Sequence, residues 1–162
     1  MKEKAVFDLK GRVCREMLGQ LASIIAWSEK EKDQNIDIFF RTKGGEVEVA
    51  DTMIRLINGA NDKKIYFHFL IEEVCSSAGI LILARANRVS AKQNAIFEWH
   101  YESNPSLSEE EIVIRAKEKA QYLSLRSRNA TKPEVFLELM ANKKVLNAED
   151  MKKLGLVHKI TP

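Results

Sequence analysis

Short apolar runs alternate with helical patterns along the chain, and that alternation restricts the fold more than any other feature of the sequence. Ala5 to Leu9 reads as a strand, after which Met17, Leu18, Leu21, Ile24, Ile25 and Ser28 recur at helical spacing up to the charged run Glu29 to Asp33. Ile36 to Phe40 is a second strand and Thr42 to Gly45 a turn. Val47, Ala50, Met53, Ile54 and Ile57 then line a helix expected to end at Asn58-Gly59. Ile65 to Leu70 is a third strand, and the segment Ala78 to Ala86 is apolar nearly all round, as a helix at the centre of a protein should be. Such repeated β-α units imply an α/β domain with a mostly parallel sheet.

The second half of the chain changes character. Arg88 to Ser90 and Ala95 to Trp99 supply further short strands. From Ser108 to about Arg128 a long amphipathic helix sets Ile112, Ala116, Ala120 and Leu123 on one side and charges on the other, within a handle-like segment at about 101–130. This helix is expected to project or to dock on a partner. Pro133 suits the first turn of a short helix over Val135 to Met140. Asn147 and Asp150 have capping-box spacing before a last helix that stops at Gly155, and Leu156 to Ile160 closes the chain as a strand. A chain of 162 residues, 45% hydrophobic, has room for one domain with a real core, so residues 1–162 are read as a single domain.

Composition excludes several classes of function. The net charge of +3 is small and its cations are interleaved with carboxylates, which does not imply nucleic acid. No run approaches the ~18 apolar residues of a membrane span. Cys14 and Cys75 have neither metal-ligand nor redox spacing, which suits a reducing compartment. The opening Met1-Lys2-Glu3-Lys4-Ala5 leads into a strand rather than the apolar core of a signal peptide, so a cytoplasmic home is the default expectation. His68, His100 and His158 are scattered, and no metal or organic cofactor is expected.

Gly44-Gly45, Ser77 and His100, in that order, are the residues with chemistry to offer. Each has an ordinary alternative: a turn glycine pair, a helix N-cap, an exposed or satisfied histidine. Together they supply what serine needs to cleave an amide or ester, namely a hydroxyl, a base for its proton and donors where the carbonyl oxygen becomes negative. Ser77 opens the apolar helix, so the Ala78 N–H and the positive end of the helix dipole lie beside its hydroxyl. Gly45, without a Cβ, can bring its own N–H to the same point.

The same residues carry a family resemblance. Ile38 to Met53 is similar to a stretch of strand, Asn-Ser-Pro-Gly-Gly, then helix with Asp-Thr-Met, in the proteolytic subunit of the Clp protease (ClpP) within the wider crotonase-like fold; here Arg41-Thr42-Lys43 replaces Asn-Ser-Pro. Val74 to Gly79 resembles that family's Ala-Ala-Ser-Met-Gly, with Ser77 matching the nucleophile and Ala78 the second oxyanion donor beside Gly45. Asn94 to His100 has its spacing from an Asn to the catalytic His, and Leu146 to Val157 resembles its Leu-Ser-Ala-x-Glu-Ala-x-x-Tyr-Gly-Leu-Val ending. The resemblance implies repeated β-α units with a mostly parallel sheet and a projecting long helix. It further implies a Ser-His endopeptidase acting on peptides or unfolded proteins, and a homo-oligomer.

Departures from the pattern set further expectations. An ungapped match from Gly155 puts Lys143 where the family has its catalytic Asp, and an ammonium, which only donates, cannot receive the imidazole N–H. Asn142 is ranked first as the substitute that orients His100, ahead of Glu98 and Glu102. A Ser-Lys dyad, also found in crotonase-like proteases, would draw on Lys117 or Lys119. The chain starts at the family's first core strand, which counts against an ATPase partner, and Pro105 removes a donor from the segment that joins rings in the family. The alternative to a peptidase is a catalytically inactive structural or regulatory subunit of the same fold. Thioester chemistry on that fold is the third reading.

Overall fold

Eight strands and six helices follow one another along the chain in a computed structural model that describes residues 4–162, so the opening Met1-Lys2-Glu3, with the reading made of it above, lies outside the described residues. The first half runs β1 (Val6–Lys10), α1 (Arg15–Glu31), β2 (Asn35–Arg41), α2 (Val47–Asp62), β3 (Tyr66–Ile71), β4 (Val74–Ser76) and α3 (Ala78–Arg85). The second runs β5 (Arg88–Lys92), β6 (Ile96–Glu98), α4 (Glu109–Arg126), α5 (Pro133–Ala141), β7 (Val145–Asn147), α6 (Ala148–Lys153) and β8 (Lys159–Thr161).

The main sheet has the order β1-β2-β3-β5-β8 and is parallel throughout, as alternating β-α units require. One face presents Leu9, Ile36, Ile38, Phe40, Phe67 and Phe69 to the core, all essentially without exposure. The helical readings of the sequence are borne out on this side. Met17, Leu21, Ile24 and Ser28 are the buried stripe of α1, and every residue of α3 from Ala78 to Ala84 is buried. α2 differs from its expected end: it continues through Gly59 to Asp62, because Ala60 extends the buried row of Met53 and Ile57 by another turn. Ile65 and Leu156 to His158 lie outside the strands that their apolar runs suggest, β3 beginning at Tyr66 and β8 at Lys159.

A second, three-stranded sheet pairs β4 parallel to β6 and β6 antiparallel to β7. The sequence reading has neither β4 nor β7, since three residues are too short to show a period of two. The long helix α4 starts with a capping box in which Ser108 and Glu111 satisfy each other's backbone N–H groups. Its C-terminal half docks on its own chain through buried Ala120 and Leu123, Tyr122 Oη donating to the Leu81 carbonyl at 2.9 Å and Arg126 Nε to the Ala84 carbonyl at 3.0 Å. Its N-terminal half leaves Val113 and Ile114 exposed. No described helix is long and apolar enough to cross a membrane.

Candidate active site

The site is assembled where the ends of β1, β2, β4 and β6 meet the start of α3. Thr42, just past β2, joins the two sheets: its N–H donates to the Val74 carbonyl at 3.1 Å and its carbonyl accepts from the Ser76 N–H at 3.0 Å. The turn that follows is held by the Gly44 N–H donating to Thr42 Oγ1 at 3.0 Å. Val13 then straddles the next residue, donating to the Gly44 carbonyl at 3.0 Å and accepting from the Glu46 N–H at 2.9 Å. Gly45, between them, makes no hydrogen bond through its own N–H among the described residues, and the residue borders the cavity. Only glycine fits there: a Cβ at Gly45 would lie 2.3 Å from the Val13 carbonyl oxygen, and one at Gly44 2.7 Å from Ser77 Cβ.

Ser77 has φ 53° and ψ −126°, a region that residues with a side chain rarely adopt, and strain of that kind persists only where its surroundings enforce it. They do so here. The Ser77 N–H donates to the Glu98 carbonyl of β6 at 3.0 Å, and its carbonyl accepts from Ile80 at 2.9 Å in the first turn of α3. The resulting sharp turn leaves Ser77 half-buried at the cavity wall, next to the N–H of Ala78, which has no partner among the described residues. Ser76 is instead 2% exposed and its Oγ accepts from the Glu98 N–H at 3.3 Å. Burial pushes the Cys75 thiol far above its usual range, which removes it as a competing nucleophile.

His100 follows β6 by two residues and is exposed. Its Nδ1 donates to the carbonyl of Tyr101 at 2.7 Å, which selects the tautomer with a free lone pair on Nε2. No hydrogen bond joins His100 to Ser77 in this structure, but both border one cavity of about 390 Å³ together with Gly45, Ala78, Leu81 and Trp99. Lys119 reaches the same cavity from α4. Its Nζ donates to Glu102 Oε2 at 2.9 Å, while Arg115 Nη1 donates to Glu102 Oε1 at 3.1 Å. Glu102 thus ties the segment after His100 to α4.

Gly45, Ser77, Ala78 and His100 are therefore brought together, and Asn142 is not. Asn142 caps α5, exposed, with no hydrogen bond to the imidazole, and the backbone oxygen of Tyr101 occupies the Nδ1 position intended for it. Glu98 is exposed, and Glu102 is engaged by α4. Lys143 lies in the turn after α5, with φ 48° and its N–H donating to the Met140 carbonyl at 3.3 Å. The Tyr101 carbonyl had no signal in the sequence, because every residue carries one. Among the described residues, no group of three or more His, Cys, Asp or Glu side chains is placed to hold a metal ion.

No family model and no curated protein matches the chain. Solved structures do. ClpP1 from Listeria monocytogenes superposes with a TM-score of 0.83 at 20% identity, over 96% of this chain and 90% of that one. The ClpP protease catalytic domain from Plasmodium falciparum gives 0.82 at 18% identity, over 97% and 85%. A mutant of the membrane-bound stomatin-specific protease 1510-N gives 0.77 at 16% identity, over 99% and 81%. At these identities the likeness is one of backbone architecture, and over nearly its whole described length the chain has the ClpP-like fold.

Proposed function

We propose that the chain is a serine peptidase acting on peptides or unfolded protein. The observation that supports this best is the pair of unpaired backbone donors, Gly45 N–H and Ala78 N–H, bordering one cavity with a conformationally strained serine and a histidine whose Nε2 is free. In this reading Ser77 Oγ adds to the scissile carbonyl carbon as its proton passes to His100 Nε2, and the two N–H groups receive the oxyanion. Collapse of the tetrahedral adduct breaks the C–N bond, His100 returning the proton to the leaving amine. Water then repeats the sequence on the acyl-enzyme and frees Ser77.

The Tyr101 carbonyl orients the imidazole but, being neutral, stabilises the imidazolium less than a carboxylate does. Turnover is therefore expected to be slow, by as much as about 10⁴-fold relative to a complete triad. Lys119 is the second candidate base because it borders the same cavity, and it ranks behind His100 because its ammonium is held by Glu102. Assembly into a homo-oligomer, read from the exposed Val113 and Ile114 of α4, is part of the same proposal and is checked by sedimentation velocity. A cytoplasmic home remains the accompanying expectation.

The experiment is intact-mass spectrometry after incubation with a fluorophosphonate. One adduct on the wild type and none on Ser77→Ala is expected. No adduct on the wild type, in a sample whose assembly has been verified by sizing, overturns the peptidase reading in favour of a catalytically silent subunit.

A further inference from the structure

Beside the active-site cavity lies a second one of about 680 Å³, and Arg12, Lys43 and Gly45 border both. Lys10 and Arg41 also line it, so among the described residues four cations and no carboxylate border this space. Their placement follows from strand geometry. Lys10 and Arg41 are register partners at the ends of β1 and β2, and Arg12 and Lys43 each come two residues later in chains still joined by the Gly11 N–H to the Arg41 carbonyl at 3.0 Å. Lys10 and Arg41 pair with the exposed Asp8 and Glu73, each at 3.1 Å, and Lys10 Nζ also lies 6.0 Å from the centroid of the Phe39 ring. Arg12 and Lys43 form no ion pair among the described residues. Like charges on neighbouring strands repel, and for Arg12 and Lys43 no ion pair offsets that repulsion, which leaves both available to an anionic ligand.

We infer that these cations are a substrate subsite, and that the preferred peptides carry a carboxylate close to the scissile bond on the side that runs past Gly45. This inference rests on the peptidase reading. A scissile carbonyl whose oxygen meets the Gly45 N–H has its chain at the boundary between the two cavities, which Arg12 and Lys43 also border. Those two are the binding groups with no internal partner to give up, and Lys10 and Arg41 add attraction at longer range. The carboxylate has two possible sources, an Asp or Glu side chain and the peptide's own C-terminus.

The test uses fluorescent peptides of one apolar sequence with Glu, Gln or Lys beside the central bond, each made with a free and an amidated C-terminus. Their binding to Ser77→Ala is followed by anisotropy at low and high salt, and their hydrolysis by the wild type in parallel. The amidated Glu peptide is expected to bind about tenfold more tightly than the Gln peptide at low salt, with the advantage shrinking at high salt. An advantage for the free acid over the amide in the Gln series would assign the C-terminus as the carboxylate. Lys43→Glu should reverse the preference toward the Lys peptide, and Arg12→Gln should weaken it. Equal binding of amidated Glu and Gln peptides, with no free-acid advantage, overturns the inference. So does competition by a single-stranded oligonucleotide at lower concentration than the Glu peptide. Charge-selective binding by a protein that takes no fluorophosphonate would sink the peptidase reading and with it the assignment of these cations to a substrate, whereas labelling without charge selectivity would sink only this inference.

Discussion

Two serine-histidine arrangements exist in this molecule, and the better hydrogen-bonded one is the less suited to catalysis. On the main sheet, Ser90 Oγ donates to His68 Nε2 at 2.8 Å and His68 Nδ1 donates to Asp37 Oδ1 at 3.1 Å, the full connectivity of a proton relay. Yet Ser90 is 3% exposed in the middle of β5, whose backbone donors are used between β3 and β8. Ser77 and His100 share no hydrogen bond, but they have a cavity, two unpaired N–H groups and a turn that enforces a rare serine conformation. Geometry between nucleophile and base tightens when substrate binds, whereas an oxyanion site and access must be built into the fold. The comparison therefore weights donors and access above the relay.

The most direct way to break that comparison is to remove each serine in turn. Ser77→Ala should lower peptide hydrolysis by at least about 10³-fold and abolish fluorophosphonate labelling, whereas Ser90→Ala should leave the labelling rate unchanged. Loss of labelling in a folded Ser90→Ala protein would reverse the assignment. Next in size, Gly45→Ala sets a Cβ against the Val13 carbonyl, where only backbone could give way. It should displace the donor and cost about 10²–10³ in turnover, read as kcat with the melting temperature followed alongside.

Smaller effects sharpen the other side. Ser90→Ala strips the half-buried His68 ring of its hydroxyl donor and should destabilise the fold by about 1–2 kcal/mol, measured by denaturant unfolding. Acid should do the same more gradually. Burial holds the His68 pKa below 6.5 despite the Asp37 carboxylate beside it, and burial with Arg128, Arg126 and Arg88 nearby holds His158 down to about 4. The unfolded chain then binds more protons than the folded one as pH falls below 6.5, and stability is lost from there toward pH 4. The Val89 N–H donates to His158 Nδ1 at 2.9 Å, a bond that protonation there must break. Thermal melts between pH 7 and 5 should show a shallower decline for His158→Gln than for the wild type, and an unchanged slope would contradict the burial argument.

Much of the fold was legible because burial imposes local periods. The stripe of α1, the apolar α3 and the Asn147–Asp150 capping box all follow from neighbours a few residues apart. Local rules erred where a longer-range contact outweighed them. Gly59 reads as a stop, but buried Ala60 carries α2 onward. Three-residue strands such as β4 and β7 exist only because each finds a partner in β6.

At the site, the residue types and their order were set by the sequence alone: a glycine pair after a strand, a serine opening an apolar helix, and a histidine after a later strand. Tertiary structure decided which of them meet and what each one touches. It brought Gly45 to Ser77 through Thr42 and Val13, turned His100 to the Tyr101 carbonyl rather than to Asn142, and gathered Lys10, Arg12, Arg41 and Lys43 around one space. The division has a physical cause. Hydrophobic periodicity is a property of consecutive residues, whereas hydrogen-bond partners and charge clusters are set by the register between strands distant in sequence.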